Sequence, residues 1–140
     1  MTAIEGLGNK ILVQVCVIVD DADKYARNYC DVFGLEMPES QITQGFSHTQ
    51  ATYYGQPTEA KAKIYSWQFG EVALELLEPL GPPSVWQDWL DAHGASVHHV
   101  AFFVKNAEGV AQSFIEHGFP LAQQGFFSGL FPNGGHTGKY

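Results

Sequence analysis

Basic residues are scarce in this chain: 7 Lys and Arg stand against 15 Asp and Glu, for a net charge of −8. A polyphosphate partner needs a basic stripe, and these few cations are thinly scattered, which argues against nucleic acid as a ligand. Cysteine is scarcer still, with 2 residues. Cys16 and Cys30 fall in what reads below as a strand and a helix, the usual places of small buried hydrophobes, so no disulfide between them is expected. No Cys-x-x-Cys pair is present, which excludes a thiolate zinc site as well. No apolar run approaches the roughly 20 residues that span a bilayer, and Met1 to Lys10 lacks the basic-then-apolar order of a signal peptide. The expectation is a soluble, cytoplasmic protein with no membrane partner. Also missing are a Gly-x-Ser-x-Gly nucleophile turn and a phosphate-cradling loop, since Gly134-Gly135-His136-Thr137-Gly138 lacks the Lys and the following helix that a phosphate site needs.

What is there is a globular composition. Of 140 residues 45% are hydrophobic and 16% charged, enough apolar surface to offset the entropy of ordering, which excludes intrinsic disorder and gives one domain over residues 1–140. The chain also repeats itself at an offset of 85 residues. Val13-Gln14-Val15-Cys16-Val17-Ile18-Val19-Asp20-Asp21-Ala22-Asp23 aligns with His98-His99-Val100-Ala101-Phe102-Phe103-Val104-Lys105-Asn106-Ala107-Glu108. Each is a strand-length apolar run closed by Asp or Asn suited to cap a helix. The apolar positions that follow, Ala22, Tyr25, Ala26, Tyr29 and Phe33 in one copy and Ala107, Val110, Ala111, Phe114 and Ile115 in the other, have helical spacing. Gly34 and Gly118 supply the left-handed residue that ends each helix.

Between the copies lie three strand candidates, Gln41 to Tyr54, Lys61 to Phe69 and Val72 to Glu78, then a short helix from the N-cap Ser84 to His93, ended by Gly94. The reading is α+β: two βαβββ modules, about 11–80 and about 97–140, whose sheets form one curved mixed cup with the helices over 21–33 and 106–117 outside. In the second module Phe119 to Phe127 reads as a strand and Phe131 to Tyr140 as a Gly-rich turn into another. Nothing then matches Val72 to Glu78, so the second module lacks its last strand, and a homodimer is expected because an open sheet edge is a template for another chain.

In a strand every second side chain shares a face, so Gln14 lies with Cys16 and Ile18, and His99 with Ala101 and Phe103. Gln14 and His99 are repeat equivalents, and two modules related by a pseudo-twofold axis would bring them to one cavity. Glu75 is a carboxylate in an otherwise apolar strand, where burial demands a cation, a metal or a proton. Gln14, Glu75 and His99 together make an N/O ligand set suited to zinc or another divalent ion. His98 faces the opposite side from His99 on strand periodicity and reads as structural. His48, Tyr53, Tyr54, Trp67, Phe126 and Phe127 are numerous enough to line a pocket, though strand aromatics are more often core.

The run Val13 to Leu35 ending Phe33-Gly34-Leu35, the strand Leu74-Glu75-Leu76-Leu77-Glu78-Pro79, and Val97-His98-His99-Val100-Ala101-Phe102-Phe103-Val104 together resemble the vicinal oxygen chelate superfamily. That group includes glyoxalase I, methylmalonyl-CoA epimerase, extradiol dioxygenases and the bleomycin resistance proteins. The resemblance implies metal ligands on the first and fourth strands of each module, here Gln14, Glu75 and His99, with a fourth ligand, a Glu, expected on a last strand beyond Tyr140. The Gln, Glu, His order is similar to one type of glyoxalase I, whereas Gly81-Pro82-Pro83-Ser84-Val85-Trp86 and the Val-His-His-Val strand look more like the epimerases. It further implies a divalent ion (zinc, nickel, cobalt or manganese) and a metal-dependent isomerase or lyase that removes a proton α to a carbonyl of a small acyl-thioester or hemithioacetal, with Glu75 as the base. The alternative is a metal-free small-molecule binding protein of the drug-sequestering kind, its cup lined by aromatics such as Trp67 and Phe103. An iron dioxygenase stands third, because its two-His, one-carboxylate triad would need His where Gln14 stands.

Overall fold

Asp21 and Gly34 delimit the first helix. In the computed structural model, which describes Leu7, residues 11–128 and residues 137–140, strand β1 (Gln14–Ile18) runs into helix α1 (Ala22–Phe33). The Asp21 carboxylate accepts from the Lys24 backbone N–H at 3.0 Å, and Gly34, with φ of +67°, closes the last turn in the left-handed conformation. The expected long strand from Gln41 to Tyr54 is instead three short elements: β2 (Gln41–Ile42), a single helical turn α2 (Phe46–Thr49) and β3 (Thr52–Tyr53). The reason is local. Ser47-His48-Thr49-Gln50 has no apolar alternation, and Gly45 lets the Glu59 carboxylate approach to cap the Phe46 N–H at 3.0 Å, where a Cβ would lie 2.5 Å from its Oε2. Tyr54 and Gly55, with φ of +47° and +81°, then turn β3 back onto β4 (Gln56–Pro57).

The strands β5 (Lys61–Phe69) and β6 (Val72–Leu80) form the long hairpin expected from their apolar runs, β6 reaching two residues beyond Glu78. Helix α3 (Val85–His93) is capped by the Ser84 hydroxyl and ends at Gly94. Strand β7 (Ser96–Ala101) and helix α4 (Ala107–Glu116), capped by Asn106, open the second half. The main sheet is open and curved, in the order β2-β5-β6-β1-β7; β1 is parallel to β6 and antiparallel to β7. This is the α+β architecture expected, and the first strands of the two halves are hydrogen-bonded neighbours. In place of one long strand from Phe119 to Phe127 the second half has β8 (Gln123–Gln124), which pairs with β3, and β9 (Phe126–Ser128), which pairs with β10 (Thr137–Lys139). The Gly-rich turn read from Phe131 lies, up to His136, outside the described residues.

The sheet separates two apolar clusters. On the α1 side Val19, Ala22, Ala26, Tyr65, Trp67 and Leu76 pack together; on the α3 side Cys16, Ile18, Ala62, Leu77 and Trp86 do so. Alternation produces this: odd positions of β1 face α1 and even positions face α3. Helix α4, by contrast, buries none of its residues fully.

At the rim of the α1 cluster, Asp23 accepts from Lys63 Nζ at 2.7 Å and from the Tyr65 hydroxyl at 2.5 Å. Lys63 first, then Tyr65, holds the Asp23 carboxyl below its ordinary value. A depressed folded pKa means that the group favours folding above the unfolded value of about 3.9 and that this contribution disappears as pH falls through the lower folded value. Asp23→Asn is therefore expected to lower thermal stability at pH 7 and to have a progressively smaller effect as pH falls into the acid range, a convergence read by melting the two proteins across that range.

Candidate functional site

Three strands set the site. Register places Cys16 opposite Glu75 on one side and opposite His99 on the other, so one row of side chains crosses β6, β1 and β7 on the α3 face. Gln14 lies two residues before Cys16 on the same face. Its amide Nε2 donates to Glu75 Oε2 at 2.9 Å, and its Oε1 lies 3.3 Å from His99 Nε2. The ligand atoms of Cys16, Glu75 and His99 all lie within 4.8 Å of one another. The structure thus brings Gln14, Glu75 and His99 together.

Two members of this cluster were not read from the sequence. Cys16 is buried as a small hydrophobe would be, but its sulfur lies within 4.8 Å of the Glu75 and His99 ligand atoms, so a cysteine joins the cluster although the sequence has no Cys-x-x-Cys pair. The signal was present, since Cys16 follows Gln14 by one strand period. His98 is the second. Residues Cys16 and His99 pair, but Val17 pairs with Val97, so His98 is the extra residue of a β-bulge. The bulge defeats the alternation that assigned His98 to the far side: its Nδ1 lies 2.8 Å from His99 Nδ1.

Burial governs the protonation states. It raises the Glu75 pKa, against the opposing hydrogen bonds from the Cys16 thiol and the Gln14 amide. It pushes His99 down to about 4, with the neighbouring His98 ring adding to the shift, and lowers His98 as well. Cys16 is raised by burial and then by the Glu75 charge. At neutral pH both imidazoles are neutral, the form that binds a metal. Ligands around one divalent ion, each at about 2.0–2.3 Å, are separated by about 3–4.6 Å. The cluster falls within a small side-chain rotation of that spacing, so Gln14 Oε1, Glu75, His99 and the Cys16 sulfur fit as a site for a borderline ion such as zinc.

The remaining candidates disperse. Trp67 is 8% exposed in the α1-side cluster and donates its indole N–H to the Glu36 carbonyl at 3.0 Å. It is on the face opposite the site, which corrects its place as a cup-lining residue. Phe103 is 60% exposed, and His48 contacts Ser47 away from the cluster. Phe126 lies under the Lys139 ammonium and Phe127 against Tyr140. Tyr54 alone of that set lines the cleft of about 440 Å³ beside the cluster, with Val85, Asp88, Trp89, His93 and His98. Tyr53 supports it by donating its hydroxyl to Asp88 at 2.5 Å.

An open, curved α+β sheet with N, O and S side chains converging where its two halves join defines a small class of domain. The family profile of the glyoxalase/bleomycin resistance protein/dioxygenase superfamily matches residues 13–137, and the chain belongs to that superfamily. Among solved structures the chain is similar to methylmalonyl-CoA epimerase from Mycobacterium tuberculosis, at 19% identity over 99% of this chain and 90% of that one, with a TM-score of 0.56. It is similar to the Streptomyces coelicolor methylmalonyl-CoA epimerase in complex with 2-nitronate-propionyl-CoA at 21% identity over 76% and 69%, TM-score 0.53. A hypothetical protein of Bacillus halodurans matches at 23% identity over 91% and 90%, TM-score 0.54. At these identities the likeness shows the fold. No curated protein matches. No helix among the described residues is long and apolar enough to cross a membrane.

Proposed function

We propose that this protein is a metal-dependent isomerase or lyase that removes a proton α to the carbonyl of a small acyl-thioester or hemithioacetal. The observation that carries this reading is the convergence of Gln14, Glu75 and His99 on one face at the junction of β6, β1 and β7. When bound, a divalent ion supplies Lewis-acid stabilisation of the negative charge that develops on the substrate oxygen. The residues do the rest. Glu75, raised by burial toward the working pH, is the group suited to take and return the α-proton. Gln14 holds its Oε2 in place through the 2.9 Å amide bond, and neutral His99 offers a ring nitrogen to the ion. The likeness to epimerases solved with acyl-CoA ligands supports acyl-CoA thioesters as the first substrates to try.

The test is solvent exchange. Protein loaded with zinc, nickel, cobalt or manganese is expected to wash deuterium from D2O into the α-position of methylmalonyl-CoA or of the methylglyoxal–glutathione hemithioacetal, as read by NMR. Absence of exchange with every ion and both substrates would overturn the enzymatic reading.

One observation favours a second reading, a metal-free binding protein of the drug-sequestering type: among the described residues, every buried side-chain polar atom already has a partner. Stoichiometric tight binding of a small molecule to metal-stripped protein would select it. On either reading we propose a homodimer. Strand β7 ends the main sheet, and its Val97 and Val100 are 57% and 50% exposed. Sedimentation equilibrium is expected to give twice the chain mass, and a monomer at all concentrations would contradict it.

A further inference from the structure

We infer that His98 is a positioning residue, the hydrogen-bond partner that satisfies His99 Nδ1 in either tautomer and so lets His99 Nε2 give up its hydrogen and take a ligand. The inference rests on the reading of His99 as a metal ligand, and it starts from a chain of four side chains. Glu75 Oε2 accepts from Gln14 Nε2 at 2.9 Å, which orients the amide and turns its Oε1 toward His99 Nε2, 3.3 Å away. An amide oxygen only accepts, so His99 Nε2 carries the hydrogen in this arrangement. A neutral imidazole has one N–H, so His99 Nδ1 is bare and must accept. Its neighbour at 2.8 Å is His98 Nδ1, which therefore donates.

Ligation through Nε2 requires the other arrangement. His99 Nε2 gives up its hydrogen, Nδ1 gains one, and His98 Nδ1 changes from donor to acceptor, its own hydrogen moving to Nε2. Two neutral rings make this exchange with no change in the number of protons the pair holds. A backbone carbonyl at the same place accepts only and would fix His99 in one tautomer, whereas a second imidazole serves both. His98 is placed for this by structure rather than by strand alternation. The bulge swings it beside His99, and Trp89 of α3 meets its ring edge to face with centroids 5.3 Å apart. Trp89 is itself tied to Ser96 through its indole N–H at 2.9 Å. His98 also lines the cleft beside Trp89 and His93.

Two variants and one spectroscopic measurement test this. His98→Phe keeps a ring against Trp89 but offers no hydrogen bond, whereas His98→Asn keeps a polar atom near the Nδ1 position that can donate or accept. Zinc titration against a chromophoric competitor is expected to show 10- to 100-fold weaker binding in His98→Phe, the usual loss on removing a ligand's outer partner. In His98→Asn binding is expected to recover to within a few-fold of wild type. Imidazole nitrogen shifts by NMR are expected to report His99 as the Nε2–H and His98 as the Nδ1–H tautomer in metal-free wild type, and the reverse for both rings once zinc is bound. Wild-type zinc affinity in a folded His98→Phe, or the same weakening in His98→Asn, would overturn the role. If wild type itself takes up no divalent ion, the metal-dependent reading of the site fails. The metal-free wild-type tautomers then decide the role of His98 alone, a His98 ring that carries its hydrogen on Nε2 beside an Nε2–H His99 refuting it.

Discussion

Replacing His99 by Ala is expected to abolish stoichiometric divalent-metal binding while leaving the fold in place. The side chain lies at the junction of the two halves and its contacts there are with polar groups, Gln14 and His98, so its loss removes little apolar packing. What it leaves is unpaired polarity, at Gln14 Oε1 and at His98 Nδ1, worth about 1–3 kcal/mol of stability if no water enters to replace the ring. Elemental analysis after zinc loading reads the first effect, and circular dichroism with urea unfolding reads the second. Retention of one equivalent of zinc, or outright unfolding, would show His99 to be structural and the ligand assignment wrong.

A larger change in rate is expected at Glu75. Substituting Gln keeps the shape and removes the base, so proton exchange at the α-carbon should fall about 10²- to 10⁴-fold, the range by which a positioned acid–base group contributes. Its effect on stability has the opposite sign. Burial raises the folded pKa of Glu75, so the folded chain keeps this proton to higher pH than the unfolded one. The carboxyl therefore favours the fold most below its unfolded value of about 4.3, and that contribution declines as pH rises through the folded value. Glu75→Gln carries no charge to desolvate, so its stability relative to wild type should increase from pH 4 to pH 7 in metal-free protein. A variant that exchanges the α-proton at the wild-type rate would remove Glu75 from the chemistry.

These two residues were legible before the fold was known, and for a simple reason. Each is a polar residue in an apolar strand, and strand periodicity puts such a side chain on a buried face where it needs a partner. Helix boundaries were legible for the same kind of local reason: Asp21, Ser84 and Asn106 each cap the helix that the apolar spacing announces, and Gly34 and Gly94 end theirs. The duplication at an offset of 85 residues already implied that Gln14 and His99 would approach each other. Where local chemistry was ambiguous, the reading failed. Residues 41–54 are rich enough in Thr and Tyr to look like one strand, but the turn at Gly45 depends on Glu59, which is distant in sequence.

Which residues seek burial and which end an element can be read from the chain alone, because period, capping and turn chemistry act over a few neighbours. So can the α+β class and three of the polar residues that meet where β6, β1 and β7 join. The rest depends on how distant segments meet. Trp67 looked available to a cavity, and only the side of the sheet that α1 covers made it core. Cys16 looked like a plain hydrophobe, and only the register of β1 between β6 and β7 set its sulfur between a carboxylate and an imidazole. His98 should have pointed away from His99 by strict alternation. A bulge is one residue of mismatch between two strands far apart in sequence, a property of their pairing that neither strand carries alone, and it is what joins the two imidazoles.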